Sequence, residues 1–213
     1  VAATETGFRD VPLDRLDVRL RVEENYVDIY RLSTQGPMGT GSGELQFLLY
    51  PGTEQMFTTL LDIHAQALLG AIGRITGPEV TSILDDFQTT GRPFLNLQGW
   101  FHEGTQGSWR DLWVGAHTAE TLVYRGIDLE DLALELRDHG SELILDPVNA
   151  GFAGGRGTGT GRFTGLGGSD PRLSLQLALE QTAYGPTLGL LRGLQPERTL
   201  PDPATPASAT TTV

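Results

Sequence analysis

The chain contains no cysteine, which excludes several kinds of chemistry at the outset. Without a thiol it forms no disulfide, no thiolate metal site and no cysteine nucleophile. The absence does not identify a compartment, because cysteine-free chains occur both in the cytoplasm and in the periplasm.

Long apolar runs are also lacking. No run of about 18 apolar residues is present, so the sequence predicts no transmembrane helix. Residues 1–8 have neither the basic region nor the apolar region of a signal peptide. Because the first residue is Val1 and not methionine, we expect a fragment or processed product of a longer protein, with a signal or anchor upstream.

Basic residues are scarce. The chain has 15 Lys and Arg against 27 Asp and Glu, which gives a net charge of -12. This sign opposes the electrostatic attraction on which nucleic-acid binding depends. It also opposes direct adsorption to an anionic membrane, so we expect membrane association only through the upstream anchor.

Glycine and proline are abundant, and together they predict a protein of strands and turns. The 28 glycines and 12 prolines are too many for a helical bundle and too irregular for collagen, while 38% apolar residues suffice for a core. We predict a mainly β fold, a curved antiparallel β-sheet of repeated hairpins with a two-helix insert at about 53–87 packed on it. Residues 1–193 are predicted to form one domain, and the Pro-, Thr- and Ala-rich residues 194–213 a disordered tail.

Strict alternation of apolar and polar residues marks the strands. Leu16, Val18, Leu20 and Val22 alternate with charged residues, and Val27 and Ile29 resume the pattern after a turn, which predicts a hairpin over 14–34. The same criteria predict strands at 44–50, 94–101, 112–117, 120–124, 131–137, 142–145, 161–165 and 172–181.

The period changes to that of a helix after Thr53. Phe57, Leu60, Leu61, His64 and Leu68 have helical spacing, and a second helix is predicted from Pro78. In this interpretation His64 lies on the apolar side of the first helix as a partly buried packing residue.

An internal repeat relates residues 9–47 to residues 125–163 at an offset of 116 without a gap. Identities include Arg9 with Arg125, Leu16 with Leu132, Leu20 with Leu136 and Phe47 with Phe163. Each copy contains glycine at alternate positions, which permits a sharp bend or the close approach of another backbone. The match indicates either a sheet that grows by similar hairpins or convergent β-meander composition.

Two phrases in these copies resemble the repeating unit of AsmA-like and TamB-like bacterial envelope proteins. They are residues 8–18 with the glycines at 39–43, and residues 124–132 with the glycines at 154–159. The resemblance is one of pattern and covers most of residues 8–180. It implies a periplasmic protein, anchored in the inner membrane when full-length, whose long curled antiparallel sheet has an apolar inner surface that handles phospholipid between membranes. The short chain, the lack of an N-terminal transmembrane helix and the helical insert fit a C-terminal fragment better than a complete lipid bridge.

Catalytic and metal chemistry find little support in the sequence. His64, His102, His117 and His139 have no metal-ligand spacing, and the glycines at 155–161 lack the lysine and the following helix of a phosphate-binding loop. His102 beside Glu103 is interpreted as a surface loop pair. We predict no catalytic residues, no metal and no cofactor, and therefore not an enzyme.

One aromatic cluster has a functional alternative. Trp100, Phe101, Trp109 and Trp113 lie in one Gly-rich hairpin, where they could bind a carbohydrate or a protein partner. Aromatic residues of β-structure are more often in the core, and we favour that interpretation.

The leading hypothesis is an apolar sheet face that binds or guides phospholipid acyl chains in lipid transport between membranes or in outer-membrane assembly. The predicted groove residues alternate along the strands of both copies and of the last strand: Leu16, Val18, Leu20, Val27, Ile29, Leu132, Leu134, Leu136, Leu143, Leu145, Leu173, Leu175 and Leu177. The alternative is a structural or protein-interaction β-module without a ligand, because any half-buried antiparallel sheet has this alternation. An open sheet edge would pair with the rest of the parent chain or with another copy.

Overall fold

The computed structural model describes residues 2–49, 57–76, 81, 84–104, 107–124, 126–165, 172–194 and 211–212. Within them the chain is mainly β, as the composition predicts, and forms one open antiparallel sheet with two short helices. The predicted fold class, a curved antiparallel sheet with a helical insert, is confirmed.

Fourteen strands and two helices make up the described part of the chain. The first seven strands are β1 (Ala2–Phe8), β2 (Val11–Glu23), β3 (Tyr26–Gly36), β4 (Gly39–Leu49), β5 (Phe57–Ala67), β6 (Phe87–Gln88) and β7 (Phe94–Gly104). The others are β8 (Gly107–His117), β9 (Leu122–Tyr124), β10 (Ile127–His139), β11 (Glu142–Phe152), β12 (Gly155–Thr164), β13 (Arg172–Glu180) and β14 (Thr211–Thr212). Helix α1 is Leu69–Thr76 and helix α2 is Tyr184–Leu194.

The sheet is a meander. Its strand order is β1-β2-β3-β4-β5-β7-β8-β10-β11-β12-β13-β14, with β9 on β10 and β6 on β9 beside this path. All of these neighbours pair antiparallel. We call the end of the sheet where β2 begins the helix end, because α1 and α2 follow strands that finish there, and the opposite end the far end.

The two copies of the sequence repeat form the same structural unit. Strands β2 and β10, β3 and β11, and β4 and β12 begin at residues 116 apart, and the first two pairs also end 116 apart. The register shifts recur at the same places, between Ile29 and Leu32 in one unit and between Leu145 and Val148 in the other. A bulge that recurs in both copies is a built feature of the unit.

Each unit continues into a further strand and a helix, beyond the sequence match. Strand β5 leads to α1, and β13 leads to α2. In both units the residue that directly precedes the helix donates a backbone N–H hydrogen bond to the turn of the preceding hairpin. Leu68 donates to Met38 O at 2.9 Å, and Ala183 donates to Ala153 O at 2.9 Å. The unit is therefore four long strands and a short helix tied to its own hairpin.

The predicted helix at 53–68 is wrong where the structure describes it, because residues 57–67 form strand β5. Strand β5 pairs along its length with β4 and almost all of its length with β7, so its backbone groups are satisfied in the sheet. Within the insert, helix α1 begins at Leu69 and ends at Thr76, and the described residues 81 and 84 are helical as well. Half of the predicted second helix, residues 78–80, 82 and 83, lies outside the described residues. Asp85 donates a helical hydrogen bond to Thr81 O, whereas Phe87, predicted on the same helix, lies in strand β6.

The predicted tail, 194–213, also lies largely outside the described residues. Its described part is Leu194, which ends α2, and β14, where Thr211 and Thr212 pair with Leu177 and Gln176.

The most buried apolar residues lie at the helix end. Leu122, Leu132 and Ala150 form a cluster there, against which Leu69 of α1 and Phe87 of β6 pack. The insert therefore covers the middle strands of the sheet at this end and forms an ordinary hydrophobic core with them. Burial of each leucine of this cluster contributes about 1.5–3 kcal/mol.

Glycines at alternate positions of β4 and β12 allow neighbouring backbones to approach closely. A Cβ on Gly43 would lie 2.4 Å from the carbonyl oxygen of Asp62 in β5, and one on Gly155 would lie 2.1 Å from that of Glu180 in β13. Both glycines belong to the face that carries the apolar residues, and their missing side chains permit the sheet to bend there.

Candidate functional site: the apolar face

One face of the sheet is apolar across ten strands. Directly opposed residues form a continuous row from β2 to β13, and each is apolar or glycine: Val18, Leu32, Gly43, Ile63, Leu97, Val114, Leu136, Leu145, Gly161 and Leu175. Ten strands at about 4.8 Å spacing make a row of about 43 Å. We call the face that carries this row the apolar face.

The opposite face is polar. Its corresponding row across seven strands contains Asp17, Ser33, Ser42, His64, Asn96, Gly115 and Glu135. The sheet thus separates apolar from polar residues by the two-residue period of its strands.

The pairing register places all thirteen predicted groove residues on the apolar face. They occupy β2 and β3 in the first unit, β10 and β11 in the second, and β13. Most are half-buried, while Leu132 is buried in the core cluster and Leu20 is 46% exposed. Leu173 is placed by its pairing with Phe163. Their role in lipid binding stays a prediction.

Further apolar-face residues, in the strands from β4 to β8, were not among those predicted from the sequence. Leu45, Leu61, Ile63, Leu97 and Val114 lie on the apolar face in β4, β5, β7 and β8. In β5 the alternation of Leu61 and Ile63 with Asp62 and His64 was the available signal, and the helical interpretation of this segment concealed it.

The apolar face is covered unevenly. At the helix end the insert buries it, whereas near the far end of β2 Leu20 and Val22 are 46% and 65% exposed. The apolar face is also covered at one site outside the helix end. Thr59, which lies opposite Phe47 and Phe101, is only 2% exposed. Between these places the row is half-buried, with room for apolar contacts from outside the sheet.

An ion pair interrupts the apolar face at its far end. Arg110 Nε lies 2.6 Å from Asp138 Oδ2, and the register puts both residues on this face, opposite Phe101 and Leu112. The Arg110 side chain is nearly half exposed, so the pair can meet solvent or a polar headgroup while neighbouring residues meet apolar groups.

His64 lies on the polar face, and its prediction as a packing residue on an apolar helix side is wrong. Its Nδ1 lies 2.7 Å from Asn96 Oδ1 and its Nε2 lies 3.1 Å from Asp62 Oδ1. His102 is in strand β7, not in a loop, where it stacks on Trp109 with ring centroids 5.5 Å apart.

The tryptophans also lie on the polar face, so the prediction that they form core is wrong. Trp100 and Trp109 are 38% and 50% exposed. Trp113 is half-buried because its ring lies over Gly115, where an added Cβ would be 2.8 Å from the indole. Phe101, in contrast, is on the apolar face. A depression of about 280 Å³ beside Trp113 is lined by Phe94, Asn96 and Glu135 among others.

A polar cluster marks the far end of the first hairpin. Arg21 donates a hydrogen bond of 3.0 Å to Asp28, and this bond is the main reason why the pKa of Arg21 is raised. Partial burial, followed by the hydrogen bond to Glu23, raises the pKa of Tyr26. These groups hold the hairpin on the polar side of the sheet and do not enter the apolar face.

Among the described residues, no group of three His, Asp or Glu side chains could hold a metal ion. None of the helices in the described ranges is long and apolar enough to cross a bilayer.

Comparison with protein-family models, with curated proteins and with solved structures gives no match to this chain.

Proposed function

We propose that the apolar face binds or guides phospholipid acyl chains, and that the chain is a non-enzymatic segment of an AsmA-like envelope protein that transports lipid between membranes or assists outer-membrane assembly. The observation that supports this proposal is the row of ten directly opposed apolar residues and glycines, which remains half-buried and not closed over.

Acyl chains suit this surface energetically. Each methylene that leaves water contributes about 0.8 kcal/mol, so contact along several methylenes offsets the loss of chain freedom. The missing side chains of Gly43 and Gly155 permit the sheet to bend toward the apolar face, and a trough of that form would contact an acyl chain on more than one side. Arg110 at the far end is suited to a phosphate headgroup, although Asp138 partly neutralises it.

The alternative of a structural module is supported by the helix end. There Leu69 and Phe87 pack on Leu122, Leu132 and Ala150 as in any small core. The lipid proposal is therefore confined to the part of the apolar face that lies outside this core.

The pattern resemblance to AsmA-like and TamB-like proteins supports the cellular setting of the proposal. That setting is the periplasm, with anchoring in the inner membrane in the full-length protein. The acidic net charge of -12 is consistent with membrane attachment through an anchor and not through the sheet surface.

Neighbouring leucines on opposite faces of β5 provide a matched test. Leu61 lies on the apolar face opposite Leu45 and Gly99, while Leu60 is exposed on the polar face opposite Gln46 and Trp100. We expect Leu61→Glu to remove most bound phospholipid, because a carboxylate in an apolar trough costs several kcal/mol, and Leu60→Glu to retain it. Lipid extraction and native mass spectrometry of the exported chain measure the difference.

A second variant separates lost binding from lost folding. Leu20→Glu changes a side chain that is 46% exposed, so we expect the fold to persist and lipid binding to fall. Uptake of a fluorescent phospholipid from vesicles of phosphatidylethanolamine and phosphatidylglycerol provides the same comparison in solution. Equal lipid content in folded Leu60→Glu and Leu61→Glu chains, or a lipid-free folded parent, would refute the proposal.

A further inference from the structure

The depression beside Trp113 lies on the polar face, on the opposite side of the sheet from the apolar face. Its volume of about 280 Å³ is close to the lower limit of about 300 Å³ for small-molecule sites. Two small residues of neighbouring strands, Gly115 of β8 and Ala133 of β10, leave the space. Along the strands, Trp113 lies two residues before Gly115, and Phe94 lies opposite His117, two residues after it. A ligand in the depression therefore meets aromatic carbon at both ends.

The residues of the depression are not those that the repeated unit requires. At the equivalent positions of the first unit, Asp17 stands in place of Ala133 and Arg31 in place of Pro147. Charged side chains are sufficient to solvate the polar face of a sheet, and the first unit uses them. The fold therefore does not explain why the second unit places a small residue and a proline beside two aromatic rings.

The polar groups of the depression both donate and accept hydrogen bonds. His64 Nδ1 lies 2.7 Å from Asn96 Oδ1, so Asn96 is held by its side-chain oxygen and keeps its amide nitrogen as a donor for a ligand. Trp113 Nε1 donates to Glu135 Oε2 at 3.4 Å, which leaves the other carboxylate oxygen as an acceptor. Asn149 lines the depression as well and adds a second amide.

We infer that this depression binds one hexose ring of a neutral oligosaccharide. The C–H face of the sugar packs on the accessible part of the half-buried Trp113 ring, because an aromatic face covers apolar surface without desolvating a charge. Sugar hydroxyls, which donate and accept, pair with Asn96, Asn149 and Glu135. The small volume accommodates a single ring, so the adjoining units of the oligosaccharide lie outside the depression.

Charge decides between this ligand and two others. None of the described lining residues is Lys or Arg, and Glu135 carries a carboxylate, so an anionic sugar would be repelled. An ammonium group would gain from the aromatic rings and Glu135, but it donates only and leaves the amide nitrogens of Asn96 and Asn149 without an acceptor. A neutral sugar satisfies all of these groups.

Calorimetric titration with cellotetraose, maltotetraose and N-acetylchitotetraose tests the inference, because these neutral oligosaccharides present the hexose ring in β-linked, α-linked and N-acetylated forms. We expect at least one of them to bind. Trp113→Ala should then raise its dissociation constant by at least about ten-fold, since buried aromatic anchors carry most of the free energy of a small contact surface.

Two variants control for folding and for position. Trp100→Ala should keep the affinity, because Trp100 is also exposed on the polar face but lies opposite Leu60 and Asp111, outside the depression. A chain with Ala133→Asp and Glu135→Arg carries the residues that the first unit has at 17 and 19, so we expect it to fold and to lose binding. Circular dichroism and the urea midpoint check the fold of each variant.

The inference does not depend on the proposed lipid function. Leu61→Glu changes the apolar face, so it should remove phospholipid and leave the sugar affinity unchanged. Failure of one proposal is thereby distinguished from failure of the other.

Three results would overturn the inference. The folded parent chain could bind none of the three oligosaccharides at about 10 mM, which would mean that the depression is not a sugar site. Equal weakening by Trp100→Ala and Trp113→Ala would indicate unspecific contact with exposed tryptophan. Tetramethylammonium that binds more tightly than every sugar and is lost on Trp113→Ala would assign the depression to a cation.

Discussion

Replacing Gly99 by alanine is expected to lower the free energy of unfolding by about 3 kcal/mol, through overpacking and backbone strain together. Gly99 has a φ of +132°, which L side chains rarely adopt, and it faces the neighbouring strand on the apolar face. A Cβ there would lie 2.1 Å from the carbonyl oxygen of Asp111 and 3.0 Å from Leu112 Cα. Both atoms belong to backbone, so relief requires β7 and β8 to separate. Urea denaturation followed by circular dichroism measures the change.

Gly70 provides the matched control. It lies in α1 with nothing within 4 Å of an added Cβ. Alanine at this position should raise the free energy of unfolding by about 0.5–1 kcal/mol, because the helix loses a residue with excess conformational freedom. If the Gly99→Ala chain unfolded at the same urea concentration as the parent, the close approach of β7 to β8 would be disproved.

The same close approach explains why the two units share their glycines. Gly39 and Gly155 stand at the start of equivalent strands, and a Cβ on either would meet the backbone of the following strand within 2.4 Å. Gly159 and Gly161 in β12 leave space into which Leu177 and Leu175 of β13 extend. The alternating glycines therefore let the sheet bend and let leucines from the next strand lie across the gap.

The sequence predicts the hairpins well because their two-residue period is strong. In β2 every apolar-face residue from Leu16 to Val22 is large and apolar, and its neighbours are charged. The prediction failed in β5, where the apolar face also carries Thr59 and Ala65, and where Leu60 lies on the polar face. Because these residues weaken the alternation and Leu60 lies on the polar face, the apolar residues of β5 have helical spacing by coincidence. Pairing with β4 and β7 is what makes the segment a strand.

The apolar face could be predicted in part, but its coverage could not. Alternation assigns a side chain to a face, whereas its exposure depends on which distant segment lies above it. Leu69 of α1 and Phe87 of β6 pack on Leu132 of the second unit, whereas its counterpart Leu16 in the first unit is left half-buried. The exposure of Trp100 and Trp109 to solvent could not be predicted from the sequence either, because tryptophan side chains are usually buried.

Equivalent leucines in the two units should therefore contribute unequally to stability. Leu132→Ala is expected to lower the free energy of unfolding by about 3 kcal/mol, since it removes a buried side chain and leaves a cavity between Leu122 and Ala150. Leu16→Ala, at the counterpart position, should cost only about 1 kcal/mol, because its half-buried side chain already meets solvent and water fills the space. Urea denaturation of both variants beside the parent chain gives the two differences under identical conditions.

The comparison of these two variants also bears on the proposed trough. Equal costs of about 3 kcal/mol would mean that the first unit is closed over as completely as the second, which leaves no surface for acyl chains near Leu16. A cost at Leu16 that rises when phospholipid is bound, while the cost at Leu132 stays constant, would mean that lipid packs on the first unit, because a ligand stabilises only the groups that it contacts. The same pair of leucines thus separates the core of the sheet from the part of the apolar face that remains for a ligand.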